Sequence, residues 1–230
     1  MKKVITLLAL FCIAAFAQNT FTDPRDGKKY KTTKIGNQTW MAQNLDYHGE
    51  DGYLGLCYGD EPQKKIRKPE NCEKYGRLYD WNEAMKACPK GWHLPSHKEW
   101  QTLVDFAGGD DVAGKKLKSK SGWQEHDFSE KSPNAPKCKW TEEEIDNRGR
   151  IKVTEHDKCT TDEYSFSALP GGFGRSNGNF RSVGSLGTWW SSSEELSKLA
   201  YSRNMFNSLE LMFRESQVKS NLYSVRCLKN

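Results

Sequence analysis

Few of the residue types that could do chemistry stand at a spacing that chemistry requires. Gly174-Arg175-Ser176-Asn177-Gly178 matches G-x-S-x-G, the pattern in which serine hydrolases hold their nucleophile. That pattern works where a buried strand precedes the serine and a helix follows, so that the hydroxyl is exposed on a strained turn. Here it lies inside a glycine run with no helical periodicity after it, and it reads as a turn. His93 and His97 are four apart, but Pro95 and Ser96 separate them, so they cannot share a helical face as the histidines of H-E-x-x-H do. Asp110, Asp111, Glu194 and Glu195 are isolated acids, whereas calcium takes about six to eight oxygens. They read as solvated loop carboxylates; no cofactor is expected, and calcium is the one candidate with any foothold. Cys57, Cys72, Cys88, Cys138, Cys159 and Cys227 show no C-x-x-C spacing and no histidine at zinc-finger distance. With Cys12 inside a leader, they read as a disulfide framework, which leaves no obvious thiolate nucleophile.

What remains is binding chemistry. The Gly-rich stretch Pro170 to Gly187 and an excursion over residues 129–163 both lack core periodicity, and loops on a rigid scaffold are where function concentrates. Phe173, Arg175, Asn177, Asn179 and Arg181 supply a stacking ring, two planar donor forks and two amides, while Trp140 and Trp189 could offer ring faces beside them. These seven residues form the candidate ligand-binding set, for a polar ligand. Trp40, Trp81, Trp92, Trp100 and Trp190 are expected in the core.

The elements that would position this set centre on residues 80–109. Asp80 with Glu83, and Ser96 with Glu99, are two capping boxes, each opening a helix. Trp81, Ala84, Met85 and Cys88 share one face of the first helix, which Pro89 stops. Trp100, Leu103, Val104 and Ala107 share one face of the second, which Gly108 and Gly109 end. Residues 29–44 read as a hairpin about Gly36-Asn37, and residues 46–73 as a loop held at Cys57 and Cys72. Val112 to Leu117 reads as a short helical turn. Within the excursion, residues 139–141 and 151–153 face each other about the 146–149 turn. Further strands are expected at 164–169, 188–193, 200–206, 208–215 and 223–228. The sum is an α+β architecture: twisted antiparallel sheets flanked by two short helices, with long disulfide-clipped loops.

Lys2 and Lys3 precede the apolar run Val4 to Phe16, and Ala15-Phe16-Ala17 is an A-x-A cleavage site. Residues 1–17 therefore read as a secretory signal peptide and residues 18–230 as a single exported domain, extracellular, cell-surface or periplasmic. The bulky Phe11 before Cys12 argues against lipidation there. The run is too short to span a bilayer, and no transmembrane segment is expected. Losing Lys2 and Lys3 lowers the formal charge from +5 to +3, too little to imply nucleic acid. Hydrophobic content of 36% with 12% aromatics suggests a small core built on Trp, Tyr and Phe.

Ala84-x-x-x-Cys88, Gly91-Trp92-His93-Leu94 and Glu99-Trp100 together resemble the helix-cysteine-GxxL-helix signature of the C-type-lectin-like fold. A wider resemblance runs through DPRDGKKYKTTKIGNQTWMAQNL, NCEKYGRLYDW, ACPKGWHLPSHKEW, YSFSALPGGF, WWSSSE and SVRCLKN. These six blocks, in order, resemble the Fibrobacter succinogenes major paralogous domain. That family is similar to C-type-lectin-like domains and, more distantly, to formylglycine-generating sulfatase-modifying enzymes, whose LPTExEW stretch Leu94 to Trp100 echoes. The resemblance implies a bond between Cys88 and Cys227, with the remaining pairs local. Closing the 57 to 72 loop stabilises by about 3 kcal/mol and the 88 to 227 loop by nearer ~5 kcal/mol in the chain-entropy model. The lectin calcium motifs E-P-N and W-N-D are absent; Trp189-Trp190-Ser191 stands where the second would be. The reactive cysteine pair of the formylglycine enzymes is also absent. The expectation is a secreted, non-enzymatic recognition or adhesion module binding a glycan, cell-wall polymer or surface protein. The alternatives are an oxidase-related enzyme or a purely structural matrix domain.

Overall fold

Along KYKTTKI, Tyr30, Thr32 and Ile35 are buried and Lys29, Lys31 and Lys34 exposed; Gly36, at φ 58°, then turns the chain back. A β-carbon on Gly36 would come within 3.0 Å of the Phe106 ring, so the residue that makes the turn must also leave room for a helix end. The structure, a computed structural model, describes residues 19–124, 140–146, 148–156 and 159–230, and of residues 140–144 and 152–156 the backbone alone. The first strands are β1 (Asn19–Thr22), β2 (Lys29–Ile35) and β3 (Gln38–Met41). Then come α1 (Pro69–Tyr75), β4 (Leu78–Tyr79), α2 (Trp81–Ala87), β5 (Trp92–His93), α3 (His97–Phe106) and α4 (Asp110–Leu117). The hairpin β6 (Trp140–Ile145) and β7 (Ile151–His156) precedes β8 (Phe173–Gly174) and β9 (Phe180–Arg181). The chain closes with β10 (Leu186–Leu196), β11 (Leu199–Phe206), β12 (Phe213–Val218), β13 (Tyr223–Ser224) and β14 (Leu228–Lys229).

Two five-stranded sheets carry the fold, in the orders β1-β2-β3-β14-β5 and β12-β11-β10-β13-β4. Pairing between named strands is antiparallel except at Trp189 and Ser224, where β10 and β13 run parallel. The architecture is α+β, as expected. The terminal segment was expected as one strand over 223–228; it is two short strands, one in each sheet, joined by the buried residues Val225 to Cys227.

Both capping boxes form. Asp80 accepts from Glu83 N at 2.9 Å and Glu83 from Asp80 N at 3.0 Å; Ser96 and Glu99 exchange the same bonds at 3.3 and 2.8 Å. The α3 face packs as its periodicity requires, with Trp100, Leu103, Val104 and Ala107 wholly buried beside Trp40, Phe166, Trp189 and Met205. In α2 the face is rotated: Ala84 and Ala87 point inward while Met85 is 45% exposed. Cys88 already has extended backbone and bonds Cys227, so the disulfide and the Ala84/Ala87 pair set the orientation of this short helix.

Other departures have local causes. Pro69 begins α1 instead of belonging to a loop, because proline suits a first helical position where no N–H bond is lost. Residues 164–169 alternate like a strand but form a turn. Asp162 accepts from Ser167 N and Oγ, both at 2.8 Å, and holds Ser165 and Ser167 left-handed while Phe166 enters the core. The strand expected at 208–215 starts later, since Lys115 N bonds Glu210 O and Met212 N bonds Asp110 O, pinning residues 210–212 to α4. No helix among the described residues is long and apolar enough to cross a membrane.

Cys57 bonds Cys72, and Cys88 bonds Cys227 as the resemblance implies. Cys159 is disulfide-bonded as well; Cys138, its expected partner, lies outside the described residues. Replacing Cys88 and Cys227 by alanine should cost about 4 to 5 kcal/mol, against about 3 kcal/mol for Cys57 and Cys72. Urea denaturation of the two double variants checks the ranking, and a larger loss for Cys57 and Cys72 would reverse it.

Lys118 ends α4 fully buried, donating to the carbonyls of Phe206 at 2.8 Å and Leu209 at 2.6 Å. Burial pushes its ammonium down to about 7 from an ordinary 10.5. Between those values the folded state holds fewer protons than the unfolded one, so stability rises with pH across that window. Unfolding midpoints measured from pH 7 to about pH 10 should climb in the native protein and climb less in Lys118→Met. Parallel profiles would show that Lys118 keeps its proton.

Candidate functional site

The Gly-rich stretch is a short hairpin bolted to the core. Gly172 adopts φ 67°, and a β-carbon there would meet Arg181 O at 2.5 Å, so only glycine lets the chain return alongside itself. Gly174 exchanges two backbone bonds with Leu222, at 2.9 and 2.8 Å, and Gly172 N bonds Leu186 O at 2.8 Å. At the tip, Arg175 N bonds Asn179 O and Gly178 N bonds Arg175 O, both at 2.9 Å, while the Asn177 side chain accepts from Asn179 N at 3.1 Å. Arg175, Ser176, Asn177, Asn179 and Arg181 are exposed on this closed tip. Neither guanidinium has an ion-pair partner among the described residues.

Two aromatic residues of the expected set do other work. Trp189 is wholly buried, its indole donating to Asn44 Oδ1 at 2.8 Å, so it is core and cannot face a ligand. Phe173 is half-buried, with its ring edge-on to Tyr223 at 6.2 Å, and packs against the core. Trp140 lies in β6, and its side chain is outside the described residues. The hairpin turns where expected, but its register differs: Trp140 and Thr141 face His156 and Glu155, while Ile151 to Val153 face Ile145 to Glu143, because the strands pair outward from the turn. The chain leaves for that excursion beside the Gly-rich stretch, where Gln124 N bonds Gly184 O at 2.8 Å.

The remaining candidates scatter. Ser176 sits on a hairpin tip, not between strand and helix. His93 lies between Glu99 Oε1, at 2.9 Å, and Asn230 Oδ1, at 2.7 Å. His97 stacks on Tyr201 and accepts from Arg214 at 3.2 Å; burial and then the charges of Arg203 and Arg214 hold its imidazole below the ordinary range. Asp110 pairs with buried Arg203 at 2.9 Å, Glu194 pairs with Lys219, and Asp111 and Glu195 are exposed. Among the described residues no three potential metal ligands gather.

A feature that the sequence reading missed lies in the Cys57–Cys72 loop. A cleft of about 430 Å³ opens there between Tyr53, Leu56, Pro62 and Pro69, with Arg67 and Arg77 lining it. Asp60, 2% exposed, braces the loop by accepting from Cys57 N at 3.0 Å and Lys68 N at 2.7 Å. Arg77 is held by Asp46 at 3.1 Å, whereas Arg67 is half-exposed and 3.6 Å from Asp60. The loop touches the Gly-rich hairpin through Tyr58 and Phe180, whose rings are 5.4 Å apart. The tyrosines and the bracketing prolines were the visible signal; the arginines were indistinguishable from other surface cations.

A family model described as the Fibrobacter succinogenes major domain matches residues 33–229. No curated protein and no solved structure matches the chain.

Phe173→Ala should destabilise the protein by roughly 2 kcal/mol, since it removes a half-buried ring, while Arg175→Ala should stay within ~0.5 kcal/mol. Thermal and urea midpoints of both variants check this, and equal losses would show that the tip arginine is structural.

Proposed function

The chain belongs to the Fibrobacter succinogenes major domain family, and we propose that it is an exported, non-enzymatic recognition module that binds a glycan or cell-wall polymer at this loop end. On this reading residues 1–17 are a leader, residues 18–230 one domain, and its fold is C-type-lectin-like. The disulfide from the residue after α2 to the terminal segment supports that fold assignment. The observation that carries the binding assignment is the pair of guanidinium groups, Arg175 and Arg181, without an ion-pair partner among the described residues, on a hairpin whose base is fixed by backbone bonds. Preorganised donors lose little freedom on binding, and planar forks suit carboxylates and sugar hydroxyls. The neighbouring cleft, within the usual size range for small-ligand pockets, adds Tyr53 and two proline rings that can lie against a sugar.

The oxidase-related alternative needs reactive thiols, and the five described cysteines are all engaged in disulfides. Free-thiol titration of the purified protein decides between the two readings, with two reactive thiols favouring the enzyme.

A pull-down screen over neutral and acidic polysaccharides should find a ligand. The double variant Arg175→Ala with Arg181→Ala should then bind at least about tenfold more weakly, at an unchanged thermal midpoint. Silence across the screen favours a structural matrix domain, and unaltered affinity in the double variant moves the site elsewhere.

A further inference from the structure

The first sheet has a second surface that the loop end does not use. Its edge strands β1 and β5 are four strand spacings apart, roughly 19 Å in a flat sheet at about 4.8 Å per spacing. Yet the rings of Phe21 on β1 and Trp92 on β5 are 5.1 Å apart between centroids. The sheet is therefore curled until its edges meet across one face. At one end that concave face is core: Tyr30, Met41 and Cys227 join the cluster that Phe21 packs on. Two residues along each strand, on the same face, the apolar side chains give way to Asn19, Thr32, Thr39 and Lys229, with Lys34 two beyond Thr32. The result is an open trough of about 760 Å³, with Lys34, Lys90 and Lys229 along it and no carboxylate in its lining. All three lysines are exposed, and none has an ion-pair partner among the described residues.

We infer that this trough binds an acidic polysaccharide, its carboxylates meeting Lys34, Lys90 and Lys229 and its hydroxyls meeting the threonines and Asn19. Three like charges around one concavity repel each other, and an anionic chain relieves that repulsion. Flexible ammonium groups tolerate the variable carboxylate spacing of a polymer. A single-stranded nucleic acid would instead need exposed aromatic platforms. Here Trp92 is only 8% exposed. This site shares no residue with the loop end and does not depend on the function proposed there.

The test uses the purified protein and oligogalacturonate, read by calorimetry across a salt series. Wild type should bind, and more weakly as salt rises, because screening shortens the reach of exposed charges. Lys34→Ala with Lys90→Ala and Lys229→Ala should lose about tenfold or more in affinity. A control variant, Lys86→Ala with Lys98→Ala, which removes two exposed lysines outside the trough, should bind oligogalacturonate like wild type. As a readout without substitutions, the oligosaccharide should protect Lys34, Lys90 and Lys229 from acetylation, scored by mass spectrometry. Wild-type affinity in the lysine variant, or no protection, overturns the proposal. Loss of binding in the Arg175→Ala, Arg181→Ala variant alone assigns the polymer to the loop end instead. Equal binding of polyglutamate or DNA reduces the trough to a non-specific cation patch.

Discussion

One buried guanidinium holds the two sheets to a common chain. Arg226 is wholly buried between β13 and β14, and its Nε and Nη2 donate to Asn44 Oδ1 at 3.1 and 2.7 Å. Its Nη1 donates to Phe166 O at 2.6 Å and to Met41 O at 3.3 Å, and the group lies 4.6 Å from the centre of the Phe166 ring. No carboxylate among the described residues pairs with it, and burial, opposed only by the more distant charge of Asp162, lowers its pKa to about 9. A buried charge is costly unless every donor is satisfied, so the carbonyls and the amide around it must keep their places. Asn44 extends the constraint, since its amide also accepts from Trp189 Nε1 and donates to Tyr75 O. Residues from β3, α1, β10 and the 164–168 turn are thereby locked to the terminal segment.

That segment connects the two proposed surfaces. Leu222 and Tyr223, before Arg226, hold the Gly-rich hairpin through Gly174 and Phe173. Lys229, after it, lines the trough of the first sheet. The Cys88–Cys227 disulfide fastens the same segment beside α2. The groups proposed to bind at either place therefore sit on backbone fastened to one buried segment, the preorganisation that recognition by exposed arginines and lysines would need.

Much of the framework is legible in the residues because its causes are local. A capping box needs only residues three apart, so both helix starts could be placed, and the α3 face follows from its own spacing. The hairpins at Gly36 and at 146–149 are also local events. The candidate set was less legible. Arg175, Asn177, Asn179 and Arg181 reach the surface because glycines close a tip around them. Trp189 does not, because β10 is covered on both sides: Trp189 and Trp190 are neighbours in sequence, on opposite faces, and both wholly buried. Alternation reports which face a side chain takes, not whether that face meets water.

The sequence by itself determined the family, the α+β class, the starts of α2 and α3 and a framework of paired cysteines, since these rest on short spacings and on residue type. Tertiary structure alone decided that Trp189 joins the core, that residues 164–169 turn instead of extending, and that the last strand divides between two sheets. It also created both surfaces. The cleft exists because a disulfide bends residues 57–72 over Arg77, and the trough because a curled sheet brings its distant edges together. Curvature and closure sum small twists over strands far apart in the chain, and no local pattern carries that sum.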